Sequence, residues 1–329
     1  MSRFWLTVRW RMPDAYLHRN RDFPDLIRIV GDELSIDPVL VEKDYWIMHC
    51  LFGLQQMGLS FELKGGTSLS KGLGIIDRFS EDIDIRIEPP KGMAVATNPK
   101  QQKTAHVESR KAFYDWLAGK ITIDGIGGVE RDTEFDDTVY YRSGGIRLRY
   151  GAHAGSLAGL KDGILLEVGF DDVSPNAPHT ISSWAFDHAI KSGVAVIDNR
   201  AIDVACYHPG YTFVEKLQTI STKYRKQQED GDFPANFMRH YYDVYRLLQV
   251  PEVQTFIGTP AYAAHKAKRF RGADNPILAE NEAFLLSDVQ TRAQYARAFD
   301  SSRSLYYKAQ PPFEEIMTVL AAAVMIEGI

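Results

Sequence analysis

The sequence is poor in cysteine, in net positive charge and in long apolar runs, and each shortage excludes a class of protein. Cys50 and Cys206 are the only cysteines among 329 residues, and neither stands in a CxxC or Cys/His spacing. The sequence therefore indicates neither a disulfide framework nor a zinc site. Because no run of about 18 uncharged apolar residues occurs, we predict neither a membrane span nor an export signal. A reducing cytoplasm fits this composition best.

The formal net charge of −5 gives the chain no overall attraction to a polyanion. A nucleic-acid partner would therefore have to be held by local basic patches, although most residues of this kind are solvated helix surface. Basic residues concentrate late in the chain, at Lys223, Arg225, Lys226, His265, Lys266, Lys268, Arg269 and Arg271.

Residues 82–88 alternate strictly between acidic or basic and apolar side chains. Ile83 and Ile85 point to one face of a predicted strand, and Asp82 and Asp84 point together to the other face. Two adjacent carboxylates repel each other unless a cation lies between them, and hard oxygen ligands suit Mg²⁺ or Mn²⁺. The DxD pair therefore predicts a divalent metal site, although such a pair can also be solvated surface.

A third carboxylate is predicted from a second strand. Residues 164–170 are apolar apart from Glu167, which stands alone on the polar face. If this strand lies next to the DxD strand, Glu167 joins Asp82 and Asp84 at the same edge as a third metal ligand. Three carboxylates could hold two metal ions, the arrangement that supports nucleotidyl transfer without a histidine base.

A short predicted strand at residues 61–64 runs into the sequence Gly65, Gly66, Thr67, Ser68. Glycines let backbone N–H groups approach a phosphate closely, and the two hydroxyls add donors at a predicted helix start. The same four residues also suit an ordinary strand-to-helix turn. Their combination with the DxD strand within about 20 residues is what indicates a nucleotide site.

The pattern predicts an α+β fold. We expect a small mixed or antiparallel sheet core with helices at residues 1–200 and an all-helical domain at residues 201–329 that completes the cleft. No strand is predicted in residues 124–137, which are rich in glycine and acidic residues. Helices are predicted at residues 23–34, 38–57, 101–119, 211–227, 234–249, 252–270, 287–299 and 311–327, and strands at 61–64, 82–88, 146–150 and 164–170.

These motifs resemble the AbiEii/AbiGii toxin group, which includes the MenT-type toxins, within the DNA polymerase β-like nucleotidyltransferases. The resemblance is carried first by LKGGTSLSK at residues 63–71 and RFSEDIDI at 78–85. It extends to VEKDYW at residues 41–46, VEKL at 214–217 and RHYYDVYR at 239–246. The spacing between Gly66 and Asp82 is longer than the general superfamily prefers but similar to that of the toxin group.

The resemblance implies roles for individual residues. Asp82 and Asp84 would be the metal pair, Ser80 would lie within reach of the site, Lys216 would contact nucleotide phosphates, and Asp243 would be an essential acid. The residues themselves leave alternatives open. Ser80 could instead cap the strand end or receive a nucleotide or phosphoryl group, Lys216 could pair with a structural acid, and Asp243 could orient a basic group.

The function implied is transfer of a nucleotide from an NTP to an acceptor hydroxyl with Mg²⁺ or Mn²⁺. The resemblance further implies a toxin of a toxin–antitoxin or phage-defence system that acts on RNA, at the tRNA 3′ end, and is restrained by a cognate antitoxin protein. Three alternatives remain at this point: a protein or small-molecule acceptor, phosphoryl transfer, and a nucleotide- or RNA-binding module without catalysis.

Overall fold

A computed structural model describes residues 15–231, 233, 237–270 and 272–325. Arg271 of the predicted basic residues lies outside the described residues, as do residues 234–236 at the start of one predicted helix. No helix in the described ranges combines the length and the hydropathy needed to cross a bilayer.

The helices and strands are numbered here in chain order. They are α1 (Phe23–Leu34), α2 (Pro38–Gln56), β1 (Phe61–Lys64), α3 (Gly65–Thr67), β2 (Asp82–Ile87), α4 (Thr104–Lys120), β3 (Ile126–Asp132), β4 (Ser143–Tyr150), β5 (Ile164–Gly169), β6 (Asn176–Ile181), α5 (Trp184–Lys191), β7 (Ala201–Tyr207), α6 (Pro209–Asp230), α7 (Arg239–Leu247), α8 (Pro251–Phe256), α9 (Pro260–Arg269), α10 (Glu282–Leu285), α11 (Val289–Asp300) and α12 (Phe313–Val324).

The predicted α+β class is confirmed. Within the described residues, strands of mixed direction occupy the first two thirds of the chain and every element after β7 is helical. The helices at residues 23–34 and 38–57 and the strands at 61–64 and 82–88 form within one residue of their predicted ends. The prediction succeeded here because Pro38 sets a helix start, with Asp37 capping it, and because alternation in β2 is strict.

The chain divides into two compact units, each assembled from separate stretches of sequence. The first unit contains the described residues through Ser60, then Glu88–Val168 and Thr180–Asp203. The second contains Phe61–Ile87, Gly169–His179 and the chain from Val204 onward. The domain boundary predicted near residue 200 stays a prediction.

In the first unit, β3 and β4 pair antiparallel, and β5 is the next strand beside β4. Helix α2 is almost entirely buried and carries three charged residues, Glu42, Lys43 and Asp44, with 2% exposure or less. Buried charges require partners. Two of them are held by backbone groups, since Glu42 accepts N–H donors at residues 153 and 154 and Asp44 accepts the N–H of Trp184.

In the second unit, β1 is the strand that organises the sheet. It pairs antiparallel with β2, so that Lys64 lies opposite Asp84, and parallel with β7. Ile83, Ile85 and Ile87 are buried with exposure of 1% or less, which confirms the predicted apolar face. Beyond β7, helices α6, α7 and α12 bury an apolar and aromatic core that includes Phe213, Leu217, Tyr241, Val244, Phe299 and Leu320.

Three details of the predicted secondary structure were wrong. The single helix at residues 252–270 is two helices, α8 and α9, because Gly258 adopts a left-handed φ of +80° and Pro260 starts a new helix. Segment 124–137 contains β3, whose acids pair across the ladder with arginines of β4. Strands β6 and β7 and helix α5 were not predicted.

The buried face of β2 gives a stability prediction. Replacing Ile85 with Ala removes three carbons from a fully buried site, and we expect the free energy of unfolding to fall by about 2–5 kcal/mol. The matched variant Ile202→Ala, at a position 45% exposed, is expected to cost less than about 1 kcal/mol. Chemical denaturation measures both, and equal costs would contradict the burial assigned to β2.

Candidate functional site

The two sequence motifs meet in the second unit at the glycine turn after β1. Gly65 has a φ of +71°, and a Cβ placed there would lie 2.1 Å from an Oδ2 of Asp84. A Cβ on Gly66 would lie 2.4 Å from the Ser80 hydroxyl oxygen. No other residue type leaves this space. The glycines therefore let the turn pack directly on the Ser80–Asp84 segment, a closer approach than a strand-to-helix turn alone requires.

Thr67 and Ser68, which follow the glycines, are fully buried. The Thr67 hydroxyl donates a hydrogen bond of 2.5 Å to the backbone carbonyl of Asp82, so it ties the turn to the start of β2. The Ser68 hydroxyl lies near the Cys206 thiol of β7, whose pKa burial raises. Both side chains serve the packing of the turn, and their contact with a phosphate stays a prediction.

Asp82 and Asp84 lie two residues apart on β2, as predicted. Burial raises the pKa of the Asp84 carboxyl, the Lys64 ammonium opposes this, and the Asp82 carboxylate adds to it. Among the described residues, none donates a hydrogen bond to the Asp84 carboxylate. A desolvated carboxylate beside a second carboxylate is stabilised by a bound cation, so the pair fits a divalent metal ion.

Glu167 lies on β5 in the first unit, where its side chain is partly exposed. In the portion of the chain that the structure describes, no group of three His, Cys, Asp or Glu side chains has the geometry of a metal site. The role of Glu167 as a third ligand therefore stays a prediction.

Lys216 and Asp243, 27 positions apart in sequence, form a buried ion pair with a third residue, Arg78. The Arg78 guanidinium donates to both Asp243 oxygens at 2.7 Å, and the Lys216 ammonium lies 3.0 Å from one of them. Asp243 is completely buried. Burial alone would raise the pKa of Asp243, but the two cations outweigh it and hold that pKa at about 2.

Lys216 is less enclosed than its partner, with 12% of its side chain exposed. Burial lowers the pKa of the Lys216 ammonium, and the Asp243 carboxylate partly restores it. One carboxylate thus serves two cations, Arg78 and Lys216, which leaves the cluster with an excess of positive charge. That excess suits an anionic ligand.

Two neighbours of this cluster were not singled out in the sequence. His240 places its Nδ1 3.4 Å from the Lys216 ammonium nitrogen, and burial, followed by the nearby cations, lowers the pKa of His240 well below its usual value. Its imidazole is therefore neutral. Arg239 is close enough to contribute to the positive field at Asp84 and Lys216. Both stand within four residues of Asp243 in the motif RHYYDVYR, which was the available signal.

Helix α7 also fixes the loop that precedes β2. The Tyr242 hydroxyl accepts a hydrogen bond of 3.1 Å from the backbone N–H of Asp77, and the Asp77 carboxylate pairs with Arg246 and with Lys308. Phe79 donates its N–H to the Leu305 carbonyl at 2.7 Å. The loop from 77 to 80 is thereby held at its backbone and its side chains, which sets the position of Ser80 and Arg78.

The basic residues of the helical region are partly engaged by acids. Arg225 contacts Glu229 and Asp274, while Arg269 lies 3.6 Å from Asp171 and 3.7 Å from Glu215. These pairs weaken the case for a free basic surface at Arg225 and Arg269.

The buried ion pair predicts a large cost for removing the charge of Asp243. In Asp243→Asn, Arg78 and Lys216 lose their shared counter-charge, and we expect a loss of about 3–5 kcal/mol in the free energy of unfolding. Asp198→Asn, which disturbs the exposed pair of Asp198 with Arg200, should cost less than about 1 kcal/mol. Denaturant titration at pH 7 measures both.

The difference in the free energy of unfolding between the parent protein and Asp243→Asn should depend on pH. The folded-state pKa of Asp243, about 2, lies below its ordinary value of 3.8, so the ion pair contributes fully above the ordinary pKa and is lost as pH falls toward 2. The stability gap between the parent protein and Asp243→Asn should thus narrow between these pH values. A gap that stays constant down to pH 2 would contradict the pairing.

Comparison with known proteins matches the chain to one family model, described as the nucleotidyl transferase AbiEii toxin of a type IV toxin–antitoxin system. The match spans residues 46–319, most of the chain, and it includes the glycine turn, β2, Lys216 and Asp243. No curated protein and no solved structure matches. Membership implies an NTP substrate and a cognate antitoxin. The chain belongs to the AbiEii family, the nucleotidyl transferase toxins of type IV toxin–antitoxin systems.

Proposed function

We propose that this toxin uses Mg²⁺ or Mn²⁺ to transfer a nucleotide from an NTP to a hydroxyl of RNA, at the 3′ end of tRNA. The single observation that carries the proposal is the assembly around Asp84 in the second unit. Its carboxylate packs on the glycine turn, neighbours Asp82 on β2, and feels the positive charge of Lys216. Carboxylates and a desolvated cation side by side suit a metal-bound triphosphate.

Asp82 and Asp84 would hold the divalent ion in this proposal. Such an ion, when bound, supplies activation of the attacking hydroxyl and neutralises charge on the phosphates. The close fit of the glycine turn on Asp84 supports this role, because it fixes the position of the carboxylate against a rigid backbone. Glu167 is proposed as an additional ligand on the strength of its strand pattern.

Lys216 would bind the phosphate oxygens of the NTP. Its ammonium is desolvated, lies near the positive charges of Arg78 and Arg239, and keeps part of its surface open. Its contacts with Asp243 and His240 orient the long side chain, so little conformational entropy is lost when a phosphate binds. Backbone N–H groups of Gly65 and Gly66 would add donors to the same phosphates.

Asp243 would act as a positioning residue, because it is fully buried and its oxygens are occupied by Arg78 and Lys216. Ser80 stands against Gly66 in the fixed loop, close to Asp82. In this position its hydroxyl can bind a phosphate oxygen or form a local hydrogen bond at the strand end.

Labelled nucleotides provide the test. Purified protein is incubated with total tRNA, Mg²⁺ or Mn²⁺, and each of the four NTPs labelled separately at the α- or the γ-phosphate. We expect the α label, and not the γ label, to enter tRNA. Asp84→Ala should reduce the rate by roughly 100-fold or more, since it removes half of the carboxylate pair. Asp172→Ala, at an exposed acid of the same unit, is the matched control and should leave the rate unchanged.

Other outcomes identify other chemistry. Transfer of the γ label would establish phosphoryl transfer, and α label in protein or in a small molecule would replace RNA as the acceptor. If no NTP labels any acceptor under these conditions, or if Asp84→Ala and Asp172→Ala react equally, the proposed catalytic pair is wrong.

A further inference from the structure

Helix α7 begins with an arginine, Arg239, to which the proposed reaction gives no role. Its Nε atom is buried and has no hydrogen-bond partner. No described residue forms an ion pair or a hydrogen bond with the rest of its side chain. Since Nε is buried, solvation by bulk water does not satisfy this donor. A buried donor without a partner costs free energy, so this atom points to a partner that binds from outside the chain.

The one acid of α7 does not pair with Arg239. Asp243 lies four residues further along the helix, at the spacing where side chains of neighbouring turns meet. Both of its oxygens already accept hydrogen bonds from Arg78, and one of them also contacts Lys216. Arg246, near the other end of α7, shows the ordinary alternative, because it pairs with Asp77. Arg239 therefore stands beside the buried ion cluster without being held by it.

The neighbours of Arg239 place it beside the residues proposed to bind the metal ion and the phosphates. His240, the next residue, contacts the Lys216 ammonium at 3.4 Å, so the start of α7 lies against this lysine. Burial is the main cause of the pKa shifts of Asp84 and Lys216, and the Arg239 charge opposes the first shift and adds to the second. At Asp84 the Lys216 charge acts more strongly than the Arg239 charge. The order Asp84, Lys216, Arg239 thus leads outward from the carboxylate pair.

We propose that Arg239 binds the β- and γ-phosphates of the NTP. This inference rests on the proposed nucleotidyl transfer and assigns a residue to one end of its substrate. A guanidinium presents parallel N–H donors that match two oxygens of a phosphate, whereas an ammonium acts as a point charge. Lys216, oriented by Asp243 and His240, then binds nearer the α-phosphate. The oxygens further out supply the partner that the buried Nε of Arg239 lacks.

Binding measured without an acceptor tests this role. The full chain, with Mg²⁺, is titrated calorimetrically with each of the four NTPs, with the four NMPs and with inorganic pyrophosphate. For the NTP that the parent protein binds most tightly, we expect Arg239→Gln to weaken binding by about 10- to 100-fold, the range of a hydrogen bond to a charged group. Pyrophosphate binding should weaken by a similar factor. Binding of the matching NMP, which lacks both phosphates, should change by less than about twofold.

Two further variants serve as controls. Arg297→Gln removes the same charge from an exposed position of α11 in the same unit and should leave all three affinities unchanged. Arg239→Lys keeps the charge but not the planar pair of donors, so it should weaken NTP binding by an intermediate factor. The free energy of unfolding of Arg239→Gln should equal that of the parent protein, because the substitution breaks no hydrogen bond or ion pair with a described side chain.

The outcomes separate the role of Arg239 from the proposed function itself. If the parent protein binds NTP and Arg239→Gln binds it equally well, the role of Arg239 is wrong while the proposed function stands. Equal weakening of NTP and NMP binding would mean that Arg239 supports the fold of the site, which also overturns its role. If the parent protein binds no NTP in the presence of Mg²⁺, the proposed function fails, and the assignment of Arg239 fails with it.

Discussion

The buried carboxylate of Asp243 is the constraint on which the organisation of the second unit depends. It binds Arg78 from the loop before β2 and Lys216 from α6, so three segments distant in sequence share one ion cluster. Breaking such a pair leaves a buried charge without compensation, so the three side chains of the cluster stabilise the fold together or hardly at all. The loop before β2, strand β2 and helix α6 are therefore positioned together. The DxD pair of β2 is included, because it begins four residues after Arg78.

The glycine turn complements this electrostatic constraint with a steric one. Gly65 and Gly66 allow contacts with Asp84 and Ser80 that a side chain would prevent. The result is an arrangement of opposite charges: a carboxylate pair on β2 next to a cluster with surplus positive charge around Lys216. In the proposed reaction a metal ion would compensate the first and an anionic phosphate the second, which is the charge pattern of a metal-bound nucleotide.

The sequence predicted much of this because its signals are local. Strict alternation identified β2 and its same-face aspartates, and the sequence left open that Lys216 pairs with a structural acid and that Asp243 orients a basic group. Arg78 was missed as that partner because its pairing with Asp243 joins positions 165 residues apart. Neutral His240 was missed because burial, which lowers its pKa, is a tertiary property.

The secondary structure that went unpredicted has a similar cause. Strand β6 contains Pro178 and little apolar alternation, so its strand conformation depends on sheet neighbours. Strand β3 is glycine-rich and is stabilised by pairs such as Asp132 with Arg147 across the ladder. Likewise, α2 was predicted as a helix, but the hydrogen bonds by which its buried Glu42 and Lys43 hold a glycine-rich loop at residues 151–163 became visible only in the structure.

A double-mutant cycle between Asp243 and Lys216 tests most directly whether the buried carboxylate acts through the lysine. The quantity to measure is the affinity for NTP of the parent, Asp243→Asn, Lys216→Ala and the combined variant. If Asp243 positions Lys216, the combined variant binds no more weakly than Lys216→Ala alone, and the cycle shows a coupling of about 1 kcal/mol or more. Losses that simply add would contradict the positioning role of Asp243.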